Sequence, residues 1–587
     1  MATVKTRRRA RRVLAMRSPN YVLRRQALLT LMLAMMVVTV AGAFYRQVVE
    51  TDYLQSEGAR RYLRESEIPA RRGMILDRNG EPLAVSTPVT TLWADPTLLA
   101  RHAEHIAALA AALDIEPARL RERLAENAGR RFMYLKRRVH PREADAVAAL
   151  IDRVGLTGIG TETEYRRFYP GAEVFGHVVG FTNIDDHGQE GIERAFDRSL
   201  RAHPGLRRVI QDGLHNQVAE LEQVRAPRDG ADLALTLDRR LQFIAYRELK
   251  RAVEEHQAVG GSAVILDVAS GEILAMVNQP GYNPNAVLGG DGDRRRNRAL
   301  TDVFEPGSSM KPFVVALALE NGLVGPNTPI DTRPGTLAIG RYRVRDVHDY
   351  GLLDTTGVIT KSSNVGIVKL ALRMDAATMW QFYGHLGFGT RTQCGFPGES
   401  GGVLPHHGQW SEFEQATLAF GYGLSTTTLQ LARAYAVLAA DGVRRPVTLL
   451  QGDARPRDGV RVFSATTARQ VRAMMETVVS DQGTGRRAAI DGYRVAGKTG
   501  TAKKSAGREG YSAGRYQSVF AGMVPAGAPR FVMVVMVDEP HGKSYYGGLV
   551  AAPVFSRVME NALRLYNVPP DDPTHALLLA ATAEGAP

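Results

Sequence analysis

The sequence predicts an α+β protein held to a membrane by one N-terminal helix. Three observations carry this reading. Residues 27–45, ALLTLMLAMMVVTVAGAFY, run for 19 positions without a charge. Paired apolar runs around Asn79-Gly80 and Ser270-Gly271 have the form of antiparallel hairpins. Residues 97–127 and 141–153 place Ala, Leu, Glu and Arg at helical spacing. A chain of 587 residues is too long for one core, so two or three domains are expected. A composition of 44% hydrophobic and 23% charged residues is that of a chain that folds over most of its length.

The N-terminus explains most of the charge. Residues 1–25 contain Lys5, Arg7, Arg8, Arg9, Arg11, Arg12, Arg17, Arg24 and Arg25 and no acid. That is nine of the formal +13, leaving +4 for the other 562 residues, which argues against a nucleic-acid-binding surface. The tail is better explained by membrane orientation and anionic lipid. As a helix, the uncharged run spans roughly 28 Å, about one bilayer core. The basic flank then stays cytoplasmic and the bulk of the chain is exported. Ala41-Gly42-Ala43 would fit signal-peptide cleavage, but the long basic region and the length of the apolar run favour an uncleaved anchor. No Cys follows the run, which excludes lipid attachment there; the single Cys394 excludes an intramolecular disulfide or a cysteine metal cluster and reads as a packed small side chain.

Beyond the anchor, residues 46–66 read as a helix leading out of the membrane. PARRGMILDRNGEPLAV (69–85) forms the first hairpin, and RRFYPGAEVFGHVVGFTN (166–183) returns to strand and turn after the two helical stretches. APRDGAD (226–232) is a polar boundary. LALTLDRRLQFIAYRELKRAVEEH then gives a short strand and an amphipathic helix, and SAVILDVASGEILAMVN (262–278) opens a second domain with a hairpin. YQSVFAGMVP and RFVMVVMVDEP add sheet strands, and the last 20 or so residues read as a weakly ordered tail.

Three short patterns carry chemistry. In FEPGSSMKPFVVALALENG (304–322), Pro312 cannot lie deep in a helix, so the helix begins near Ser308 and stops at Asn321-Gly322. Ser308 therefore sits at a positive helix end, with the Lys311 amine three residues on and on the same face. A serine nucleophile needs a neighbouring base, and a partly desolvated lysine can be one. ITKSSNVGIVKLALRM (359–374) places Ser362-Ser363-Asn364 just before an amphipathic helix, which alone would be a helix cap. Lys498-Thr499-Gly500-Thr501 follows the strand-like YRVA. Each pattern is weak by itself. The order S-x-x-K, S-x-N, K-T-G, at gaps of roughly 50 and 135 residues, is that of serine enzymes that react with penicillin.

With these residues the chain resembles the class B penicillin-binding proteins, peptidoglycan D,D-transpeptidases, and among them the division-specific group. The similarity covers nearly the whole chain beyond residue 45. RGMILDRNGEPLA (72–84) and RRFYPGAEVFGHVVGFTNIDDHGQEGIE (166–193) resemble motifs of the family's non-catalytic domain. TLDRRLQ, RNRALTDVFEPGSSMKP, FGYGLSTTTLQLARAYA and GGLVAAPVF resemble transpeptidase signatures. Only about 180 residues separate anchor from catalytic domain, so a bifunctional class A enzyme with an N-terminal glycosyltransferase is not expected.

The resemblance implies a basic cytoplasmic tail at 1–25, a transmembrane helix at 26–45, an elongated α+β pedestal of dimerisation type at 46–228, a transpeptidase domain at 229–567 and a flexible tail at 568–587. The transpeptidase domain would be an antiparallel sheet flanked by helices, with an all-helical subdomain. Ser308 would attack the penultimate D-Ala carbonyl of a stem pentapeptide, with Lys311 taking its proton. Ser362 would relay a proton to the leaving amine, with Lys498 nearby, and Asn364 would bind the peptide or hold Lys311. The N–H groups of Ser308 and Thr501 would form the oxyanion hole. Thr499 and Thr501 would hold the substrate carboxylate, with Lys498 adding charge, and Gly500 would let the strand approach closely. An amine of a second stem peptide then resolves the acyl-enzyme, whereas a β-lactam leaves it stalled. The chemistry needs no metal and no nucleotide or other cofactor. The resemblance further implies a single-pass protein of the bacterial inner membrane with a periplasmic catalytic domain. Its partners would be a polytopic glycosyltransferase and other membrane proteins of the division complex. Cys394 stands where the family usually has a small residue before GFPGE.

Competing readings are weaker. Gly492 through Thr499 also spells the phosphate-loop pattern G-x-x-x-x-G-K-T, and FVMVVMVDEP resembles a Walker B strand. A phosphate loop requires a buried strand before it and a helix starting at Lys498, but both flanks are polar and Gly-rich. A serine β-lactamase or β-lactam sensor lacks a use for the pedestal, and no motif supplies a deacylating carboxylate. An inactive scaffold is disfavoured by the intact site residues. Lateral-wall rather than septal synthesis is the nearest alternative; RRFMYLKRRV (130–139) and the chain length resemble the division group more.

Overall fold

The computed structural model describes residues 21–211, 217–286, 292–452, 458–505 and 510–572; most of both tails lies outside the described residues. A fully exposed helix, Tyr21–Phe44, passes through a π-helical turn, Tyr45–Val49, into a second helix, Thr51–Tyr62. The apolar helix alone is about 36 Å long, enough to cross a bilayer.

The exit helix stops earlier than its composition suggests. Leu63–Ile68 is a strand, paired antiparallel with Gly205–Gln211, which pairs in turn with Gln217–Arg225. The cause is distant in sequence: Arg208 reaches Glu65 at 3.8 Å and also pairs with Glu222, while Arg207 meets Glu220 at 3.0 Å. Such cross-strand charge pairs favour the sheet over a local helix.

The first hairpin forms at Asn79-Gly80, with Gly80 at φ +84 and the Asp77 carboxylate accepting the N–H groups of Asn79 and Glu81. Its second strand, Pro82–Ala94, pairs with Met133–Val139 and Ile159–Phe168. The helical stretch 97–127 is several pieces rather than one, among them Ile106–Ala112 and Pro117–Glu126. Asp114 turns the chain at φ +53, and Pro117 can only open a new helix. Pro141–Val154 is a single helix, started by a His140–Glu143 capping box and stopped by left-handed Gly155.

Four charged side chains tie the pedestal together. Buried Arg72 and Arg167 both hold buried Glu193, with Nε to carboxylate distances of 2.7 and 2.6 Å, and Arg72 also reaches Asp197 at 2.7 Å. These residues come from the two sequence stretches 72–84 and 166–193, plus the short helix that follows. The boundary segment is sewn back onto the pedestal: Leu233–Ala234 pairs in parallel with Ile75–Leu76.

The catalytic half is built on a five-stranded antiparallel sheet ordered Ile273–Gln279, Gly260–Asp267, Phe531–Asp538, Tyr511–Val524, Ala496–Ser505. Its strands are apolar on both faces because both are covered. Ile265, Met533 and Val535 pack with Leu241 and Tyr246 of helix Arg239–Glu255 and Phe555 of helix Ala552–Leu565. Val264, Leu266 and Val534 face the second core, which includes Phe313, Ile367 and Tyr435. Ala496–Ser505 lies at the sheet edge, so one side of its backbone is left for other partners. Lys498 is thus in a strand and not at a helix start, which excludes the phosphate loop; Gly492 is a turn residue at φ +77. The strand begins at Ala496, later than YRVA suggests, because Tyr493 closes a tight turn with Ile490.

Glu193→Leu leaves two buried arginines without their shared carboxylate. A loss of about 3–5 kcal/mol is expected, measured as an earlier first unfolding transition of the pedestal in denaturant. An unchanged transition would show that the cluster does not hold this domain.

Candidate active site

The Ser308 turn is fixed from three sides. Gly307–Met310 is a 3₁₀ turn leading into the helix Lys311–Glu320, with Pro312 in its first turn. The Ser309 hydroxyl donates to Pro306 O at 2.7 Å, and buried Tyr435 donates its hydroxyl to Ser309 O at 2.8 Å. Two glycines permit the close packing. A Cβ on Gly500 would lie 2.7 Å from Pro306 O, and one on Gly421 would lie 2.1 Å from Gly307 O. The edge strand thus rests directly on the turn that carries Ser308.

Ser362 occupies the junction between helices Thr355–Lys361 and Asn364–Ala371 in the left-handed region, at φ +59. That conformation is costly for a serine and is imposed by its surroundings. The helix cap is Ser363, whose hydroxyl accepts from Gly366 N, so Ser362 and Asn364 are left free for other bonds.

Both lysines converge there. Lys311 Nζ lies 2.5 Å from Ser362 O, 2.7 Å from Asn364 Oδ1 and 3.2 Å from Ser362 Oγ. Lys498 Nζ lies 2.9 Å from Ser362 Oγ and 3.1 Å from Thr499 O. Both side chains are buried. Burial pushes Lys498 down to about 7. Lys311 falls well below the usual lysine value through burial and then through the positive charge of Lys498, against the pull of Asp346.

Lys311 Nζ donates to the carbonyl oxygens of Ser362 and Asn364, which can only accept, and also to Ser362 Oγ. Loss of a proton leaves both carbonyl bonds in place and frees a lone pair, and burial beside Lys498 favours that loss. Ser362 Oγ accepts from Lys498 as well, so one hydroxyl bridges the two amines.

The sequence places the Lys311 amine on the Ser308 face. Its hydrogen bonds go instead to Ser362 and Asn364, and the Ser308 hydroxyl has no hydrogen-bond partner among the described residues. Thr499 Oγ1 pairs with Thr484 Oγ1 at 2.7 Å, and Thr501 Oγ1 accepts from Gly547 N at 3.0 Å. Thr499, Gly500 and Thr501 all lie on the edge strand beside the Ser308 turn.

Sequence reasoning missed Asp346. It follows the strand Tyr342–Arg345, and its carboxylate accepts the Ser363 hydroxyl at 2.5 Å, Val365 N at 3.1 Å and Asn364 N. Asn364 Nδ2 donates to Arg345 O at 2.8 Å, which aims its Oδ1 at Lys311. Asp346 belongs to no recognisable motif, and its loop contacts become visible only in three dimensions. Cys394 is fully buried, burial pushes its thiol well up, and its N–H is held by Glu399. It is a packing residue.

Known proteins resemble this chain over both of its halves. Residues 261–560 match the penicillin-binding protein transpeptidase domain and residues 67–235 the penicillin-binding protein dimerisation domain. The chain is 44% identical to the peptidoglycan D,D-transpeptidase FtsI of Escherichia coli K12, covering 89% of each chain. It is 43% identical to the probable peptidoglycan D,D-transpeptidase PbpC of Pseudomonas aeruginosa, covering 90% of this chain and 92% of that one. Among solved structures, penicillin-binding protein 3 of Mycobacterium tuberculosis in complex with aztreonam is 30% identical, with a TM-score of 0.65 over 86% of this chain and 99% of that one. The apo transpeptidase domain of penicillin-binding protein 3 from Burkholderia pseudomallei is 47% identical, with a TM-score of 0.53 over 58% of this chain and 98% of that one. Two matched domains and relatives 43–44% identical over about nine-tenths of the chain lead to one assignment: the chain belongs to the penicillin-binding-protein transpeptidases.

Proposed function

We propose that this protein cross-links peptidoglycan stem peptides at the division septum, through an acyl-enzyme on Ser308. The observation that carries the reading is the convergence of two buried lysine amines on one serine hydroxyl beside a serine at a helix start. The similarity to an FtsI protein supports the septal role over the lateral-wall alternative.

In this reading Ser308 Oγ attacks the penultimate D-Ala carbonyl and gives its proton to neutral Lys311. The N–H groups of Ser308 and Thr501 hold the oxyanion, worth about 3 kcal/mol each. The tetrahedral intermediate collapses by breaking the C–N bond, and the proton reaches the leaving D-Ala amine through Ser362. Thr499, Thr501 and Lys498 bind the terminal carboxylate, and Gly500 keeps the strand close. An amine of a second stem peptide attacks the ester, returns a proton by the same chain and frees Ser308. A β-lactam enters as the donor does and leaves a stable ester. The single membrane helix would place the basic tail in the cytoplasm and the catalytic domain in the periplasm, next to a polytopic glycosyltransferase and other division proteins.

Ser308→Ala is expected to abolish labelling of the purified protein by fluorescent penicillin; labelling that survives would overturn the nucleophile assignment. Depletion in cells should give filaments, and round swollen cells would favour the lateral-wall role. Asp346→Ala removes the anchor of Ser363 and Asn364 and should slow acylation between about ten- and a hundredfold, the scale of small misplacements near the chemistry; an unchanged rate would show that this anchor is dispensable. The pH dependence follows from Lys498. Its folded value of about 7 lies below the ordinary 10.5, so the ammonium is present below about 7 and lost above it. Acylation by a carboxylate-bearing penicillin should therefore decline from about pH 6 to 8.5, and Lys498→Arg, charged throughout, should flatten that decline while lowering the rate. A wild-type rate that climbs across this range would contradict the assignment.

A further inference from the structure

Beside the Ser362–Asn364 wall lies a short hairpin, Thr336–Ile339 and Tyr342–Arg345, with two unlike faces. Leu337, Ile339 and Val344 pack inward on the main core, and Tyr342 stacks on Phe413 at 4.1 Å. The outward face carries Arg343 opposite Ala338 and Arg345 opposite Thr336, all four exposed. Arg341, in the turn, lies over the Tyr342 ring at 5.0 Å.

This face is positive and uncompensated. The side chains of Arg343 and Arg345 make no ion pair or hydrogen bond with a described residue. Their cross-strand neighbours are small and leave the guanidinium groups uncovered. Alternate residues on a strand stand about 7 Å apart, so the two charges repel each other. The nearest acid in sequence, Asp346, is engaged by Ser363, Asn364 and Val365. An anionic partner would relieve the repulsion, and an arginine fork suits a carboxylate, which it binds in bidentate fashion.

The hairpin is also bolted to the site. Arg345 O holds the Asn364 amide, and the next residue anchors Ser363. The opposite wall is the Lys498 strand, to which the proposed function assigns the donor carboxylate. The Ser362–Asn364 wall, away from that strand, is the side the hairpin extends, and it offers an acceptor stem a path to Ser308.

We propose that the outward face of this hairpin, through Arg343 and Arg345, binds carboxylates of the acceptor stem peptide and so selects acidic acceptors. The inference rests on the transpeptidase reading, and the experiment separates the two.

The test uses the full-length protein in detergent, a thioester donor peptide, and matched acceptor peptides ending in a carboxylate or in an amide. In Arg343→Glu, which leaves Arg345 and its bond to Asn364 in place, fluorescent penicillin should acylate at a rate within about twofold of the parent, since the exchanged side chain bonds to no described residue of the site. KM for the carboxylate acceptor should rise roughly tenfold, with the amide acceptor unaffected and the difference erased by about 0.5 M salt. Arg343→Gln, which avoids new charge, should give a smaller rise of roughly threefold in the same direction. An unchanged KM for the carboxylate acceptor, or equal loss with both acceptors, overturns the proposal. So does an effect confined to binding of vesicles containing anionic phospholipid, which would make the hairpin a membrane contact. Failure of the parent protein to be acylated would instead overturn the reading on which it rests.

Discussion

Two buried lysine amines share one serine hydroxyl, and most of the catalytic domain can be understood as what that arrangement requires. Two ammonium groups this close, each buried, cannot both keep their charge, because desolvation and mutual repulsion act in the same direction. Lys311 is held well below the usual lysine value by burial and then by the positive charge of Lys498, against the pull of Asp346. Lys498 retains a value near neutrality, low for a lysine but high enough to carry charge part of the time. One fold therefore provides a base of lowered proton affinity and a partly charged anchor from the same residue type, separated by a single hydroxyl.

The surroundings enforce this geometry by close packing and few degrees of freedom. Glycine at 500 and 421 brings the edge strand and a neighbouring loop against the Ser308 turn, where any side chain would collide with backbone oxygen. Ser362 is held left-handed between two helices, and the Asp346 carboxylate fixes the start of the second. The central sheet is buried on both faces, so the edge strand carrying Lys498 rests on a support that does not yield. The pedestal uses a different device, two arginines on one buried glutamate, to join segments more than a hundred residues apart. Breaking such a cluster is far more costly than never having built it, which makes it a lock more than a source of net stability.

Much of this was legible in the sequence because it depends on local rules. Pro312 and Asn321-Gly322 delimit the helix Lys311–Glu320, entered through the turn that carries Ser308, Asn79-Gly80 makes its hairpin, and the order of Ser308, Ser362 and Lys498 points to one site. The rest depends on contacts across long separations. Leu63–Ile68 leaves its helical surroundings because strands more than a hundred residues later offer partners and charges. The stretch 97–127 breaks where Pro117 interrupts an otherwise helical composition. Asp346 has no local signature, since its role is to accept bonds from a helix start that lies 17–19 residues further on. The alignment of the Lys311 amine with Ser362 rather than Ser308 could not come from helical spacing, which fixes the face of a residue but not the end of a long side chain.

The central claim is that burial beside Lys498 lowers the proton affinity of Lys311 and so makes it the base. It is tested most directly by labelling lysine side chains with ¹³C at Cε, assigning Lys311 and Lys498 by substitution, and following their shifts with pH in the full-length protein. The account predicts that Lys311 loses its proton well below the ordinary lysine range, while Lys498 titrates near pH 7. A Lys311 signal that stays in its ammonium form up to pH 9 would contradict it.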